Sequence, residues 1–161
     1  MRKEEKKRIL LADISGRISY GVKCKVETCA PPATIASIDD EGGVSVRLVD
    51  ENGMTRGVGW DYLVDIKPYL RPMESMNSDE YEEWQVMMRK SIETRTPDAV
   101  GGIGADQLFI GTCKSCADCI EWLNKYHFDF RGLIGMKLAL PAPEGMYAIK
   151  RKRKNGKTGK L

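Results

Sequence analysis

A chain of 161 residues is long enough to bury a core without metal or disulfide staples, and 42% hydrophobic with 30% charged residues is an ordinary globular composition. No apolar run approaches the ~18 residues of a membrane span, and the early run at residues 9–12 falls well short of the ~7–15 residues of a signal-peptide core, so the chain reads as cytoplasmic. The net charge of +3 is unevenly placed: Lys150, Arg151, Lys152, Arg153, Lys154, Lys157 and Lys160 stand without an acid near them, and taking those seven from the 26 basic residues leaves 19 against 23 acidic, a body of about −4.

Residues 4–15 predict a helix. Leu10, Leu11, Ile14 and Ile18 recur at helical spacing, Glu4 and Glu5 suit the amino-terminal dipole, and Gly16 stands where a left-handed cap is wanted. The period then changes to two: Tyr20, Val22, Cys24 and Val26 alternate with polar neighbours, as in a strand with one buried face. "CAPPAT" breaks that strand and a second follows at residues 34–38. "DDEGG" is a turn, Val44, Val46 and Leu48 alternate in a third strand, and Asn52-Gly53 suits a tight hairpin. The fourth strand carries Met54, Val58 and Trp60 on one parity, and Tyr62, Val64 and Ile66 continue in a fifth short segment before Pro68 and Pro72 end the strands. Short antiparallel strands at this spacing predict a small SH3-like or Tudor-like β-barrel over residues 20–67.

The next helix has explicit start signals. Asn77 as N-cap places Glu80 at the N3 position of a capping box, Met76 and Tyr81 take the staple positions, and Tyr81, Trp84 and Met88, with Met87 beside them, form a face expected to pack on the barrel. Residues 92–111 are Gly-rich and read as a loop, and a last helix is expected over residues 115–127. The fold expected is α+β: residues 1–67 hold the first helix and barrel, residues 68–147 a helical part of the same globular unit, and residues 148–161 a basic, disordered tail.

Cys113, Cys116 and Cys119 stand at C-x2-C-x2-C spacing, which suits a metal knuckle or a redox site. A fourth zinc ligand would have to be Cys24, Cys29 or the sole histidine, His127, eight residues past Cys119. The plainer reading takes Ser115 and Asp118 as a capping box, so that Cys116, Cys119, Ile120 and Leu123 line the inner face of a helix that starts there. On that reading no metal or cofactor is bound. The loop "GGIGAD" lacks both a dinucleotide fingerprint and a Walker lysine. His127, Asp129 and Arg131 in "KYHFDFR" could serve acid–base chemistry, but no nucleophile with its base is visible, and a packed core with satisfied polar groups explains them better. The tail is the strongest functional pointer: seven cations without an acid neutralise phosphates, against the plain alternative of a solvated tail, and no aromatic is interleaved to stack on bases.

Three stretches carry a resemblance: "LADISGRISYGVKCKVE" (11–27), "VDIKPYLRPMESM" (64–76) and "CIEWLNKYHFDFRGLIGMKLALPAPEGMY" (119–147). Together they resemble a family of uncharacterised proteins encoded by bacteriophages, prophages and mobile elements of Bacteroides-type gut bacteria. The resemblance implies a phage origin and life inside a bacterial cell, and no particular activity; the basic tail lies outside it. The expectation is a non-enzymatic accessory protein that binds nucleic acid through its tail, or a host or phage protein. A metal or redox protein built on the three cysteines and a structural, oligomeric component are the alternatives.

Overall fold

The computed structural model describes residues 1–26, 32–39, 41–49, 54–93 and 105–147. Helix α1 (Lys3–Ser15) leads through a 3-10 turn at Ile18–Tyr20 into β1 (Lys23–Lys25), β2 (Ala33–Ile38), β3 (Gly43–Val49), β4 (Thr55–Tyr62) and β5 (Lys67–Leu70). A second 3-10 turn at Met73–Ser75 precedes α2 (Ser78–Glu93), α3 (Ala105–Lys125) and the two-residue β6 (Leu140–Pro141).

The strands form one sheet in the order β4-β3-β2-β1-β5-β6, antiparallel except for β5 with β6. It does not close into the expected barrel: β4 and β6 are its two edges. Closure would require β4 to pair with the last long strand, but β5 has only four residues and is already held by β1 on one side and β6 on the other. Pro68, expected to end a strand, lies inside β5 opposite Cys24, where the pairing is short enough to tolerate a residue that donates no hydrogen bond. β5 therefore spans the junction drawn from sequence at residues 67 and 68.

One face of the sheet holds the main core. Val22, Cys24, Val26, Ala33, Ile35, Val44, Val46, Ile66 and Leu70 bury against Leu10 and Ile14 of α1 and against Leu133, Leu138 and Ala139. The alternation read in β1 and β3 is the alternation observed. In β4 it works the other way. Gly57 and Gly59 stand opposite Leu48 and Val46 on the buried side, so Val58, which pairs with Arg47, is 59% exposed. A Cβ on Gly59 would lie 3.3 Å from Val46, so the small residue lets β4 close down on the core.

At the end of α1, Gly16 does not take the left-handed conformation expected of it (φ −72°). Its need is steric: a Cβ there would lie 2.7 Å from Nδ2 of Asn124, so glycine lets α1 and α3 approach. The left-handed residue is Gly21 (φ 72°), after the 3-10 turn. At the "DDEGG" turn, of which residue 40 lies outside the described residues, Gly42 N–H donates to the Asp39 carbonyl and Gly43 N–H to its carboxylate (2.6 Å). The Asn52-Gly53 hairpin and the "CAPPAT" break at residues 29–31 lie outside the described residues.

The capping box of α2 is made in both directions: Glu80 N–H donates to Asn77 Oδ1 (2.9 Å) and Asn77 N–H to Glu80 Oε2 (3.0 Å). Its buried face differs from the expected one. Glu80, Trp84 and Met87 turn inward while Tyr81 is half exposed, and the helix packs on α3 in a second, smaller core with Trp122, Leu123 and Phe128 rather than on the sheet. Glu80 outranks Tyr81 because Arg71 donates two bonds, of 2.9 and 2.8 Å, to its carboxylate.

α3 starts ten residues before the expected point, so Ser115 and Asp118 lie in mid-helix and the capping box proposed for them does not exist. Ile120, expected inside, is 45% exposed. The helix ends in a Schellman motif: Phe128 N–H donates to the Leu123 carbonyl and His127 N–H to the Asn124 carbonyl, with His127 in the left-handed position usually taken by glycine (φ 58°).

Candidate functional site

The face of the sheet turned away from the core is the first candidate. Register fixes which side chains share it. Val58 pairs with Arg47, Arg47 with Thr34 in the β2–β3 ladder, and Thr34 with Lys23, which makes one row across four strands. On β5 the pairs Cys24 with Pro68 and Lys25 with Lys67 bring Tyr69 next to Lys23. These residues alternate with buried Cys24, Ala33, Ile35, Val46 and Leu70, so the row faces outward. Arg47, Lys25 and Lys67 are exposed, and Lys23 and Tyr69 are half-buried. Three of the acids near the sheet lie at the opposite corner, where Asp39, Glu41 and Asp61 surround Tyr62, and one, Asp65, sits beside Lys25 and Lys67 and offsets part of their charge.

Tyr147 is pinned to the edge of this row. Its hydroxyl accepts from Lys23 N–H (2.9 Å) and donates to the Tyr69 carbonyl (2.9 Å), standing in for a direct ladder bond between β1 and β5. Burial is the main cause that pushes its phenol well above the ordinary tyrosine range. The Met146 carbonyl lies 3.5 Å from Lys23 Nζ. Three residues past Tyr147, Lys150 opens the run of seven cations.

The second candidate is a buried polar junction, where the three stretches quoted above converge. Arg17, fully buried, donates to Asp13 through Nε (2.8 Å) and Nη2 (2.9 Å) and to the Phe128 carbonyl (2.8 Å). Arg131 reaches the same aspartate at 3.4 Å. Arg71 N–H donates to the His127 carbonyl and Asp129 N–H to the Arg71 carbonyl, both at 2.8 Å, and the Arg71 guanidinium lies 4.2 Å above the Phe128 ring. His127 stacks on Tyr147 with ring centroids 3.9 Å apart, and its Nε2 lies 3.1 Å from the Tyr20 carbonyl. Desolvation, with the Arg17 charge second, lowers its pKa from 6.5 to about 4. The imidazole is therefore neutral at pH 7, with Nε2 as the donor to Tyr20.

A cleft of about 420 Å³ opens beside this junction, between Arg71, Glu80, Tyr126, Pro143 and Tyr147. Arg71 and Glu80 neutralise one another in its wall, Glu144 adds an exposed acid at its rim, and the Ser75 hydroxyl donates to the Pro72 carbonyl (2.7 Å). The cleft is built around a structural ion pair that also caps α2.

The residues singled out from sequence are thereby placed. Asp129 accepts Leu133 N–H (2.7 Å) and Ile134 N–H (2.8 Å), so it organises the turn that follows and does not pair with Arg131. His127, Asp129 and Arg131 point to three different partners and form no acid–base constellation. Cys116 and Cys119 lie one turn apart on α3, with Cys119 buried, while the Cys113 side chain lies outside the described residues. Among the described residues no group of three metal-ligating side chains comes together. Lys150, Arg151, Lys152, Arg153, Lys154, Lys157 and Lys160 also lie outside the described residues. Sequence reading missed the outward row, whose signal was the polar parity of the strands (Lys23, Lys25, Arg47), and it missed Arg17, which carries no local mark of burial.

The chain matches no protein-family model, and no curated protein or solved structure matches it. Among the described residues no helix is long and apolar enough to cross a membrane.

Proposed function

We propose that this protein is a non-enzymatic accessory protein of the phage and mobile-element kind, acting in the cytoplasm of a bacterial host, and that it binds nucleic acid. One observation carries the reading: the chain is pinned at Tyr147 to the cationic side of the sheet, between Lys23 and Tyr69, and runs from there into seven cations without an acid. In the sequence the basic run therefore follows directly on a segment held against the cationic side of the sheet, while the rest of the chain is acidic on balance. Phosphates would be drawn to that one side and repelled from the rest. The strand order β4-β3-β2-β1-β5 supports an SH3-like or Tudor-like ancestry for the sheet although it is left open, and small sheets of that kind serve as nucleic-acid and peptide binders, an analogy from fold alone.

The test is binding of labelled DNA and RNA by the full chain and by a chain ending at Ile149, between about 50 and about 200 mM salt. The full chain should bind, its affinity should fall steeply with salt, and the shortened chain should bind more weakly with a shallower slope. No binding by the full chain at the lowest salt would overturn the reading and turn the search to a host or phage protein partner.

A further inference from the structure

We propose that the outward row Val58, Arg47, Thr34, Lys23 and Tyr69, flanked by Lys25 and Lys67, is a binding face for single-stranded nucleic acid laid across the strands. The proposal rests on the nucleic-acid reading above and names both the substrate class and the residues. At a strand spacing of about 4.8 Å, five strands give a track about 19 Å across, the scale of sites that take about four nucleotides.

Composition favours a single strand over a duplex. A phosphate-only surface for duplex DNA needs cations and little else, whereas this row alternates charge with apolar area: Val58 is 59% exposed, Tyr69 is half-buried beside Lys23, and Arg47 offers a guanidinium plane between Val58 and Thr34. Unpaired bases have faces to lay on such groups, and duplex bases do not. Charge fixes the direction of the track. Asp39, Glu41 and Asp61 close off the Tyr62 corner to phosphates, while at the other end Tyr147 delivers the chain to the basic segment. A strand crossing from β4 to β5 would leave the sheet where that arm begins.

The full-length chain is titrated with an oligothymidine of about 15 nucleotides and with a duplex of the same length, by fluorescence anisotropy. Wild type should prefer the single strand. The double variant Arg47→Glu/Lys67→Glu should bind it at least tenfold more weakly, with a salt slope shallower by about two contacts, and Val58→Ser should lose a few-fold with the slope unchanged. All three positions are exposed, so the thermal transition should stay that of wild type. A full-length variant with Lys150, Arg151, Lys152 and Arg153 changed to Gln separates arm from face. If that variant loses all binding while Arg47→Glu/Lys67→Glu binds as wild type, the arm suffices and the face is wrong, though the protein remains a nucleic-acid binder. Equal affinity for the duplex also overturns the single-strand assignment, and failure of wild type to bind either probe sinks both readings.

Discussion

Among the described residues, two parts of the interior are built on opposite principles. Beneath the sheet, α1 meets the strands through aliphatic side chains and one thiol, and stability there follows apolar area removed from water. At the junction of α1, α3 and residues 127–134, the largest fully buried side chain is an arginine, with Asp13 beside it and Asp129 and His127 close by. Their difference lies in tolerance. An aliphatic core forgives exchanges of similar volume, whereas a buried charge network is held by partners that must all be present. The stretches 11–27, 64–76 and 119–147 meet at the second interior.

The sharpest way to break this contrast is at Arg17. Arg17→Ala leaves Asp13 buried with only Arg131 at 3.4 Å, and should cost about 3–5 kcal/mol in urea unfolding. The double exchange Asp13→Leu/Arg17→Met removes both charges and should recover most of that loss. The Phe128 carbonyl, which Arg17 would abandon, still accepts Phe130 N–H at 3.0 Å. If Arg17→Ala unfolds like a surface variant, within about 0.5 kcal/mol of wild type, the junction is not a network.

Next in size is a pH effect confined to the junction. His127 titrates at about 4 in the folded chain and near 6.5 when unfolded, so between those values the unfolded state binds the extra proton. Its contribution to stability is complete above pH 6.5 and is lost as pH falls towards 4, by about 3 kcal/mol in all. Carboxylates elsewhere also respond to acid, so the reading is taken from His127→Asn, which accepts the left-handed backbone and cannot protonate. Its stability should fall less than that of wild type from pH 6.5 to 4.5, and parallel curves would show that the imidazole is not buried in its neutral form.

The first interior was readable from residues and the second was not, for physical reasons. Period-two alternation located Val22, Cys24, Val44 and Val46, and the recurrence of Leu10 and Ile14 located the face of α1, because apolar burial repeats with the geometry of the element. In β4 the inward positions are glycines, which have no hydropathy to betray their side, so Val58 could not be assigned. Neither could sheet closure, which depends on what covers β5. α3 runs through Gly111 and the Ser115–Asp118 pair because its packing on α2 outweighs a helix penalty of about 1 kcal/mol and a local cap signal. Arg17 is held by Asp13 four residues away and by the Phe128 carbonyl 111 residues away, and Glu80 by Arg71 nine residues away; the near pairs look like ordinary surface ion pairs in the sequence, and what buries them comes from distant segments. The outward row was written in the sequence as the polar parity of the strands, yet becomes a site only when register sets Arg47 beside Thr34 and Thr34 beside Lys23.

The smallest effect concerns a feature beside the second interior that sequence did specify. Asn77 and Glu80 cap α2 reciprocally, but their environments differ: Glu80 is buried and bound by Arg71, while Asn77 is exposed. Asn77→Ala should therefore cost only about 1 kcal/mol, that of a lost N-cap, because Glu80 keeps both its arginine and the backbone N–H of residue 77. Asn77→Ser should restore wild-type stability, since serine caps as well as asparagine. A loss as large as that of Arg17→Ala would mean that the cap and the ion pair act as one unit, and the charge network would then extend from Asp13 to the start of α2.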